Sequence, residues 1–191
     1  MNPDKTPPLD RLVTPRRIGA ALGVVAALDV YILAVSAPRL RALAGGRELP
    51  ELRGAYPVEK ARAFFAALGD EGRWLYGWGH LAPDTALALV EGAALCAIVA
   101  CFTRVGARFA LRVSARTRAA LLAGPLLYAA ADVTENALLA AGIVAWPETP
   151  AALLAAASAA TSAKWALSVV ALGGVTAVVA AAVALGAKKP R

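Results

Sequence analysis

The stretch Tyr128–Leu139 reads YAAADVTENALL and places two carboxylates, Asp132 and Glu135, and the amide of Asn136 inside a long apolar run. Residues three and four apart share one face of a helix, so these polar side chains point to the same side. An ionised acid that faces lipid costs on the order of 2.5–3.5 kcal/mol or more. We therefore expect this face to meet other helices inside a membrane-embedded bundle.

The composition also indicates a helical membrane protein. Of the 191 residues, 59% are hydrophobic, whereas a soluble domain is about 45–50% apolar. The apolar residues are mainly Ala, Leu and Val, and the first two favour helices over barrel strands. The net charge is +7, and the basic residues flank the apolar blocks, where anionic lipid attracts them. No nucleic-acid-binding module is recognisable, so the expected partner is the lipid bilayer and not nucleic acid.

Four apolar blocks have the length of membrane spans, since twenty helical residues cover about 30 Å. The predicted spans are Ile18–Ala37, Pro83–Phe102, Ala119–Ala145 and a block from Ala151 to Ala187. We expect Pro38 to end the first span. We also expect this span to be an uncleaved transmembrane helix and not a signal peptide. The fourth block is too long for one perpendicular span. It predicts either one tilted helix or a short helix followed by a span from Lys164, so residues 150–163 could lie inside or above the membrane.

The segments outside the spans complete the domain organisation. Residues 1–17 are rich in proline and predicted to be a disordered cytoplasmic tail, residues 18–187 a single four-span domain, and residues 188–191 a basic cytoplasmic tail. After the first span, Pro57–Leu68 carries an apolar residue every three or four positions, and Gly69 follows as a stop signal. This pattern predicts a short amphipathic helix in the membrane interface.

Basic residues set the predicted orientation. Residues 104–118 carry five arginines and no acid, and both tails are basic, so all three are expected on the cytoplasmic side. The prediction is an all-α integral membrane protein, an antiparallel four-helix bundle in the inner (plasma) membrane with both termini cytoplasmic. The oligomeric state stays open.

The acids are predicted to share one level in the bilayer. Counting from the cytoplasmic ends of the helices places Asp29, Glu91 and Asp132 at roughly 18–21 Å from the inner boundary, with Glu135 one turn higher. Lys164 is the one basic residue within an apolar block, and the same counting places it nearer the outer boundary, within reach of Glu135 or Asp84 only if its helix tilts. One lysine cannot neutralise every acid. The others must be protonated, hydrogen-bonded or shared with a cation.

These residues and their neighbours make up a candidate ligand or cation site. Its predicted members are Asp29, Asp84, Glu91, Tyr128, Asp132, Glu135, Asn136 and Lys164. Candidates for an outer mouth are Arg73, Tyr76 and His80, and His80 is expected at a surface or interface rather than on a metal. The sequence indicates no metal site and identifies no cofactor.

Three functions stay open at this point. The first is binding or conduction of a cation, a proton or a cationic amphiphile. The second is a structural or assembly subunit in which the acids are interhelical hydrogen-bond partners. The third is a lipid-directed enzyme that uses Asp132 or Glu135 as acid or base. A wet cavity lined by the acids would favour the first, and direct side-chain pairing would weigh against it.

Three motifs resemble those of a group of small bacterial membrane proteins with four spans. They are LGxxGRxxY at Leu68–Tyr76, ADxxEN at Ala131–Asn136, and KW at Lys164 and Trp165. Asp84 occupies the place of the acid expected after the first motif, but Ala88 and Glu91 replace the Pro and Tyr that usually follow it. The resemblance covers residues 56–165 and implies no activity. The plan of four spans with intramembrane acids is also similar to that of sterol-isomerase and sigma-2 type proteins, an analogy that supports a small amphiphile as ligand.

Overall fold

The computed structural model of the chain describes residues 13–187, without the side chain of Arg53. All regular structure in this range is helical. Four helical stretches are long and apolar enough to cross a membrane, and they are Pro15–Leu43, Val58–Ala107, Ala115–Val144 and Ala151–Ala187. The predictions of an all-α fold and of four apolar helices of span length are confirmed.

The chain enters its first helix through a capped start. The Thr14 hydroxyl accepts a hydrogen bond from the Arg17 N–H, and Pro15 occupies the first turn, which are both favourable at a helix N-terminus. The helix therefore begins three residues before the predicted first span, within the segment predicted as a tail. Residues 1–12 of that tail and the predicted tail 188–191 lie outside the described residues.

The first stretch consists of α1 (Pro15–Tyr31), a π-helical segment (Ile32–Ser36) and α2 (Ala37–Leu43). The prediction that Pro38 ends this span is wrong, because the helix continues to Leu43. In a regular helix a proline ring clashes with the carbonyl four residues earlier. Pro38 is the second residue after the π-helical segment, so the carbonyl four residues earlier, that of Ala34, lies in the wider turn, which leaves room for the ring.

The second stretch begins with α3 (Val58–Trp74), whose backbone breaks at Gly69 with φ 64° and ψ −176°. This region of backbone space is open essentially to glycine alone. The predicted short helix therefore ends at the predicted residue. Its apolar face is buried within the chain, where Phe64 and Phe65 pack around Tyr76. Packing against the neighbouring helices thus accounts for its amphipathic pattern.

A second π-helical segment (Leu75–Leu81) joins α3 to α4 (Ala82–Ala107). The predicted second span, Pro83–Phe102, therefore lies within α4, which begins one residue earlier and ends five residues later. The two π-helical segments lie against each other. The Tyr31 hydroxyl donates to the Gly79 carbonyl at 2.8 Å, and the Ser36 hydroxyl lies 2.6 Å from Nδ1 of His80.

The last two stretches are α5 (Ala115–Val144) and α6 (Ala151–Ala187). Helix α6 has 37 residues without interruption, about 55 Å in length. Of the two predictions for this block, the single helix is confirmed and the two-part alternative is wrong. Helix α5 packs against both α4 and α6. At Gly124 a Cβ atom would lie 3.5 Å from the Ala171 Cα, so a small residue permits this close approach.

We predict that Gly69→Ala destabilises the protein by about 1–3 kcal/mol, because a Cβ is strained in this backbone conformation. The measurement is the thermal unfolding midpoint of the purified protein in detergent. The matched control is Gly23→Ala in α1, where a Cβ meets no heavy atom within 4 Å. Alanine is the better helix former, so the midpoint of the control should stay equal or rise. Equal midpoints for the two variants would contradict the strained conformation at Gly69.

Candidate functional site

Lys164 of α6 lies between two carboxylates of α5. Its Nζ is 3.1 Å from Oδ1 of Asp132 and also contacts Oε2 of Glu135. The side chain of Glu135 is fully buried, and its other oxygen accepts a hydrogen bond from the Thr161 hydroxyl. We call Asp132, Glu135 and Lys164 the lysine triad. It joins α5 to α6 through two ion pairs and a hydroxyl.

The contacts of Lys164 go beyond those expected from the sequence. It contacts Glu135, which the sequence allowed if its helix tilts, and it also reaches Asp132, so its ammonium group lies beside both acids. The depth estimate from the sequence counted upward from Lys188 as if that residue marked the membrane boundary. Because α6 is about 55 Å long and a hydrocarbon core is about 30 Å thick, its end need not lie at that boundary.

Asp29 of α1 and Asp84 and Glu91 of α4 form a second group, which we call the acidic trio. Glu91 is within electrostatic range of both aspartates. The two aspartates are also within electrostatic range of each other. The observed partners of the trio are neutral donors. The Asn136 amide donates to Asp84 at 3.0 Å, and the Tyr128 hydroxyl to Glu91 at 2.7 Å. Within residues 13–187, no ion pair to a Lys, Arg or His involves any of the three acids.

The acidic trio adjoins the lysine triad. Asp132 is within electrostatic range of Asp84 and Glu91. Lys164 is within electrostatic range of Asp84. Asn136 follows Glu135 on α5 and connects that helix to Asp84. The structure thus brings together all eight residues predicted for the ligand or cation site. Their convergence is observed, and their role in binding a ligand stays a prediction.

Glu51 is a buried acid that sequence analysis did not identify. It lies in a 3₁₀ turn (Pro50–Arg53) between the first two stretches. Its Oε2 accepts a hydrogen bond from the Tyr76 hydroxyl at 2.7 Å, and its Oε1 is 3.3 Å from Nε2 of His80. The His80 ring stacks on Tyr76. No spacing or motif in the sequence distinguishes Glu51 from the charged residues near it in the chain. Its burial becomes evident only from its tertiary contacts.

Tyr76 and His80 are not at a surface mouth, and that expectation is wrong for both. Tyr76 is 0% and His80 2% exposed. The π-helical segment that contains them turns both side chains inward, while Trp74 and Trp78 are 66% and 67% exposed. His80 therefore serves as a buried partner of Glu51 and Ser36 and not as an interfacial group.

Tyr56 connects the surroundings of Glu51 to the lysine triad. Its side chain is buried and lies within electrostatic range of Glu135 and Glu51. Burial and the charge of Glu135 raise the pKa of Tyr56, so its hydroxyl keeps its proton at neutral pH. Its backbone N–H donates to the Ser158 hydroxyl of α6 at 2.9 Å. Titratable groups thus follow one another from His80 through Glu51 and Tyr56 to the triad.

An apolar groove of about 500 Å³ opens beside Asn136, between the second π-helical segment and α5. Its walls include Arg73, Trp74, Trp78 and Val144. The Arg73 guanidinium donates to the Phe65 carbonyl at 2.9 Å and so closes the helix break at Gly69.

The acids of the triad and of the trio line neither this groove nor three further cavities of the described residues. Within residues 13–187, no three His, Cys, Asp or Glu side chains are grouped closely enough to hold a metal ion. Asp132 and Glu135 are thus directly paired with Lys164. Asp84 and Glu91 accept hydrogen bonds from neutral donors, and Asp29 lies in electrostatic range of both.

Comparisons with protein-family models, with curated proteins and with solved structures find no match to this chain. The resemblance to the group of four-span bacterial proteins therefore stays a prediction.

We predict that Lys164→Met destabilises the protein by about 3–5 kcal/mol, because it leaves two buried carboxylates without their counter-charge. The triple variant Lys164→Met, Asp132→Asn, Glu135→Gln should recover most of this loss, since it removes the acids as well. Arg39→Gln serves as control, because Arg39 and Glu71 form a pair with side chains 61% and 74% exposed, and exposed pairs contribute little. A triple variant no more stable than Lys164→Met would contradict the proposed charge balance.

The second prediction for this site concerns pH. Burial alone would raise the pKa of Glu51, but the hydrogen bond and charge of His80 and the Tyr76 hydroxyl outweigh burial and lower that pKa. A carboxylate with a lowered folded pKa contributes stability that is fully present above its unfolded pKa, near 4.5. This contribution is lost as the pH falls through the folded pKa.

Glu51→Gln should therefore reduce the drop in unfolding midpoint between pH 7 and pH 3, measured by thermal unfolding. Glu59→Gln removes an exposed acid of α3 and should leave the pH profile of the wild-type protein unchanged. Parallel profiles for Glu51→Gln and the wild-type protein would show that the Glu51 carboxylate carries no folded-state advantage.

Proposed function

We propose that this chain is a multi-pass protein of the inner (plasma) membrane whose acidic trio binds a proton or another small cation. The observation that carries the proposal is the set of partners of Asp29, Asp84 and Glu91. These acids lie in electrostatic range of one another, and the partners observed for them are the neutral side chains of Asn136 and Tyr128.

The membrane assignment is supported by the surface of the helices. Large apolar side chains are exposed on all four helical stretches, among them Val30, Leu89, Leu127 and Val169. Lipid would cover such a surface, whereas water would leave it as an unusually large apolar patch. We infer an antiparallel bundle with both termini and the arginine-rich connection in the cytoplasm, because positive charge is retained on that side.

The opposite side is defined by aromatic residues. The exposed rings of Trp74 and Trp78 follow the helix break at Gly69, and such rings concentrate at the boundary between lipid and water. The part of α3 that precedes Gly69 would then lie at this boundary, with its apolar face on the bundle and its charged face toward the headgroups.

The lysine triad and the acidic trio differ in how much of their negative charge is balanced by a positive side chain. In the triad, one lysine balances one of its two carboxylates. In the trio, no carboxylate is balanced by an ion pair within the described residues. Like charges in a medium of low dielectric repel strongly, so the trio favours the uptake of positive charge. The triad then acts as an interhelical connection and the trio as the binding site.

Asn136 supplies an independent indication of a ligand. Its side chain is 2% exposed, and its Oδ1 has no hydrogen-bond partner within residues 13–187. An acceptor buried without a donor costs about 1–3 kcal/mol. A bound group that donates a hydrogen bond beside Asp84 would remove this cost.

A cationic amphiphile is the second candidate ligand, and the groove favours it. Asn136 forms part of the groove wall and also contacts Asp84 of the trio. The apolar body of an amphiphile would lie between Trp78 and Val144, with its charged end toward Asn136.

The proposal is tested by thermal unfolding of the purified protein with added sodium, potassium or methylammonium, and with octylammonium as an amphiphile. A cation at 100 times its Kd that binds only the folded state adds about 2.7 kcal/mol, equivalent to roughly 5–10 °C for a chain of this size. The double variant Asp84→Asn, Glu91→Gln should lose this shift, and Glu59→Gln, which removes an exposed acid, should keep it.

The pattern of shifts separates the candidates. A shift with methylammonium or a metal cation supports the small-cation site, and a shift with octylammonium alone supports the amphiphile. The same shift in the double variant would leave the acids as interhelical partners only. So would the absence of a shift with all four cations together with a pH profile of the unfolding midpoint that is identical in the wild-type protein and the double variant, because this profile tests the proton.

A further inference from the structure

A second cavity lies at the other end of the molecule, where α4 ends and α5 begins. It has a volume of about 770 Å³ and is lined by four of the five arginines of residues 104–118. They are Arg104, Arg108, Arg112 and Arg118. The other lining residues are uncharged, namely Thr103, Ala107, Leu111 and Val113. The cavity is therefore a concave, positively charged surface with an apolar part.

The turn that carries Arg108 and precedes Arg112 is held by its backbone. After α4 ends, the N–H groups of Phe109 and Leu111 both donate to the Gly106 carbonyl, at 2.8 and 2.9 Å. Ala110 between them has a φ of 68°, and the left-handed backbone there reverses the chain direction. Arg108 therefore projects from a closed turn of defined shape, and Arg112 is the first residue after this turn.

Two of the cavity arginines, Arg108 and Arg112, carry charge that no acid of the described residues balances. Arg108 and Arg112 are exposed, and no carboxylate in residues 13–187 forms an ion pair with either of them. A guanidinium group presents its N–H donors in a planar fork that matches the oxygens of a phosphate. Several such groups around one cavity indicate a phosphate-bearing ligand.

The apolar part of the cavity distinguishes a lipid from a free phosphate ion. Leu111 and Val113 stand beside the arginines in the lining, and the cavity lies at the ends of helices that are long enough to cross a membrane. A phospholipid would place its phosphate on the arginines and the start of its acyl chains on the apolar side chains. A free phosphate ion would use only the charged part. Basic pockets at the cytoplasmic ends of spans suit anionic headgroups.

We propose that this cavity is a binding site for the headgroup of an anionic phospholipid. The site is separate from the acidic trio, so it stands whether or not the trio binds a cation. This proposal is more specific than a general attraction between basic segments and anionic lipid. Four of the five arginines line one cavity, and the fifth lies outside it.

The fifth arginine provides the matched control. Arg116 lies in the same segment and is exposed, but it does not line the cavity. Arg116→Gln therefore removes the same charge as Arg108→Gln or Arg112→Gln without changing the site. The test compares the full chain in neutral detergent with the single variants Arg108→Gln and Arg112→Gln, each of which loses one positive charge, and with Arg116→Gln, which loses the same charge. Unfolding midpoints without lipid verify that each variant is folded.

The added probes are phosphatidylglycerol, phosphatidylcholine and inorganic phosphate, and the readouts are the shift in unfolding midpoint and the number of lipids retained in native mass spectrometry. We expect phosphatidylglycerol to stabilise the wild-type protein and Arg116→Gln to a similar extent. Arg108→Gln and Arg112→Gln should each bind it roughly tenfold more weakly, since one lost charge-assisted contact is worth about tenfold.

Three results would overturn the proposal. An equal loss in Arg116→Gln would mean that the segment attracts lipid by its overall charge and not through the cavity. An equal effect of phosphatidylcholine would mean that the anionic charge is not recognised. An equal effect of inorganic phosphate would mean that the site takes a free ion and not a lipid headgroup.

Discussion

The contacts of Lys164 with Asp132 and Glu135 are the interaction on which the arrangement of the helices depends. Buried charges are tolerated only when their partners are close and further hydrogen bonds satisfy them. Thr161 lies about one turn before Lys164 on α6 and bonds to the same Glu135. Two successive turns of α6 therefore contact one carboxylate of α5, which fixes the position of these helices along each other.

The register between α5 and α6 also determines which side chains of α5 reach α4. Tyr128 and Asn136 are eight residues apart on α5 and donate to Glu91 and Asp84 of α4. A shift of α5 along its axis would break the triad and both of these contacts together. The polar side chains thus specify one packing of helices whose apolar surfaces, rich in alanine, would fit in several ways.

The sequence predicts well what depends on local periodicity. The four apolar helices of span length follow from the length of the apolar blocks, and the common face of Asp132, Glu135 and Asn136 follows from helical spacing. The stop at Gly69 follows from the backbone freedom of glycine. These features depend on neighbours within a few positions, and each is observed.

The parts that the sequence did not predict depend on contacts between distant segments. Glu51 is buried because Tyr76 and His80, some 25 residues or more away, meet it. The contact between Lys164 and Asp132 depends on the register of α6 against α5, which composition does not fix. Pro38 is a signal for a helix end in an ordinary helix, and the π-helical segment before it removes the reason for that end.

The two π-helical segments, Ile32–Ser36 and Leu75–Leu81, lie against each other. A π turn holds one residue more than an α turn, so it rotates all that follows by about 100° relative to an uninterrupted α-helix. Loss of one residue from either segment would restore ordinary winding on one side and carry Ser36 or His80 away from its partner. In the evolution of this chain, changes of length in these segments are therefore acceptable only when the opposing segment changes too.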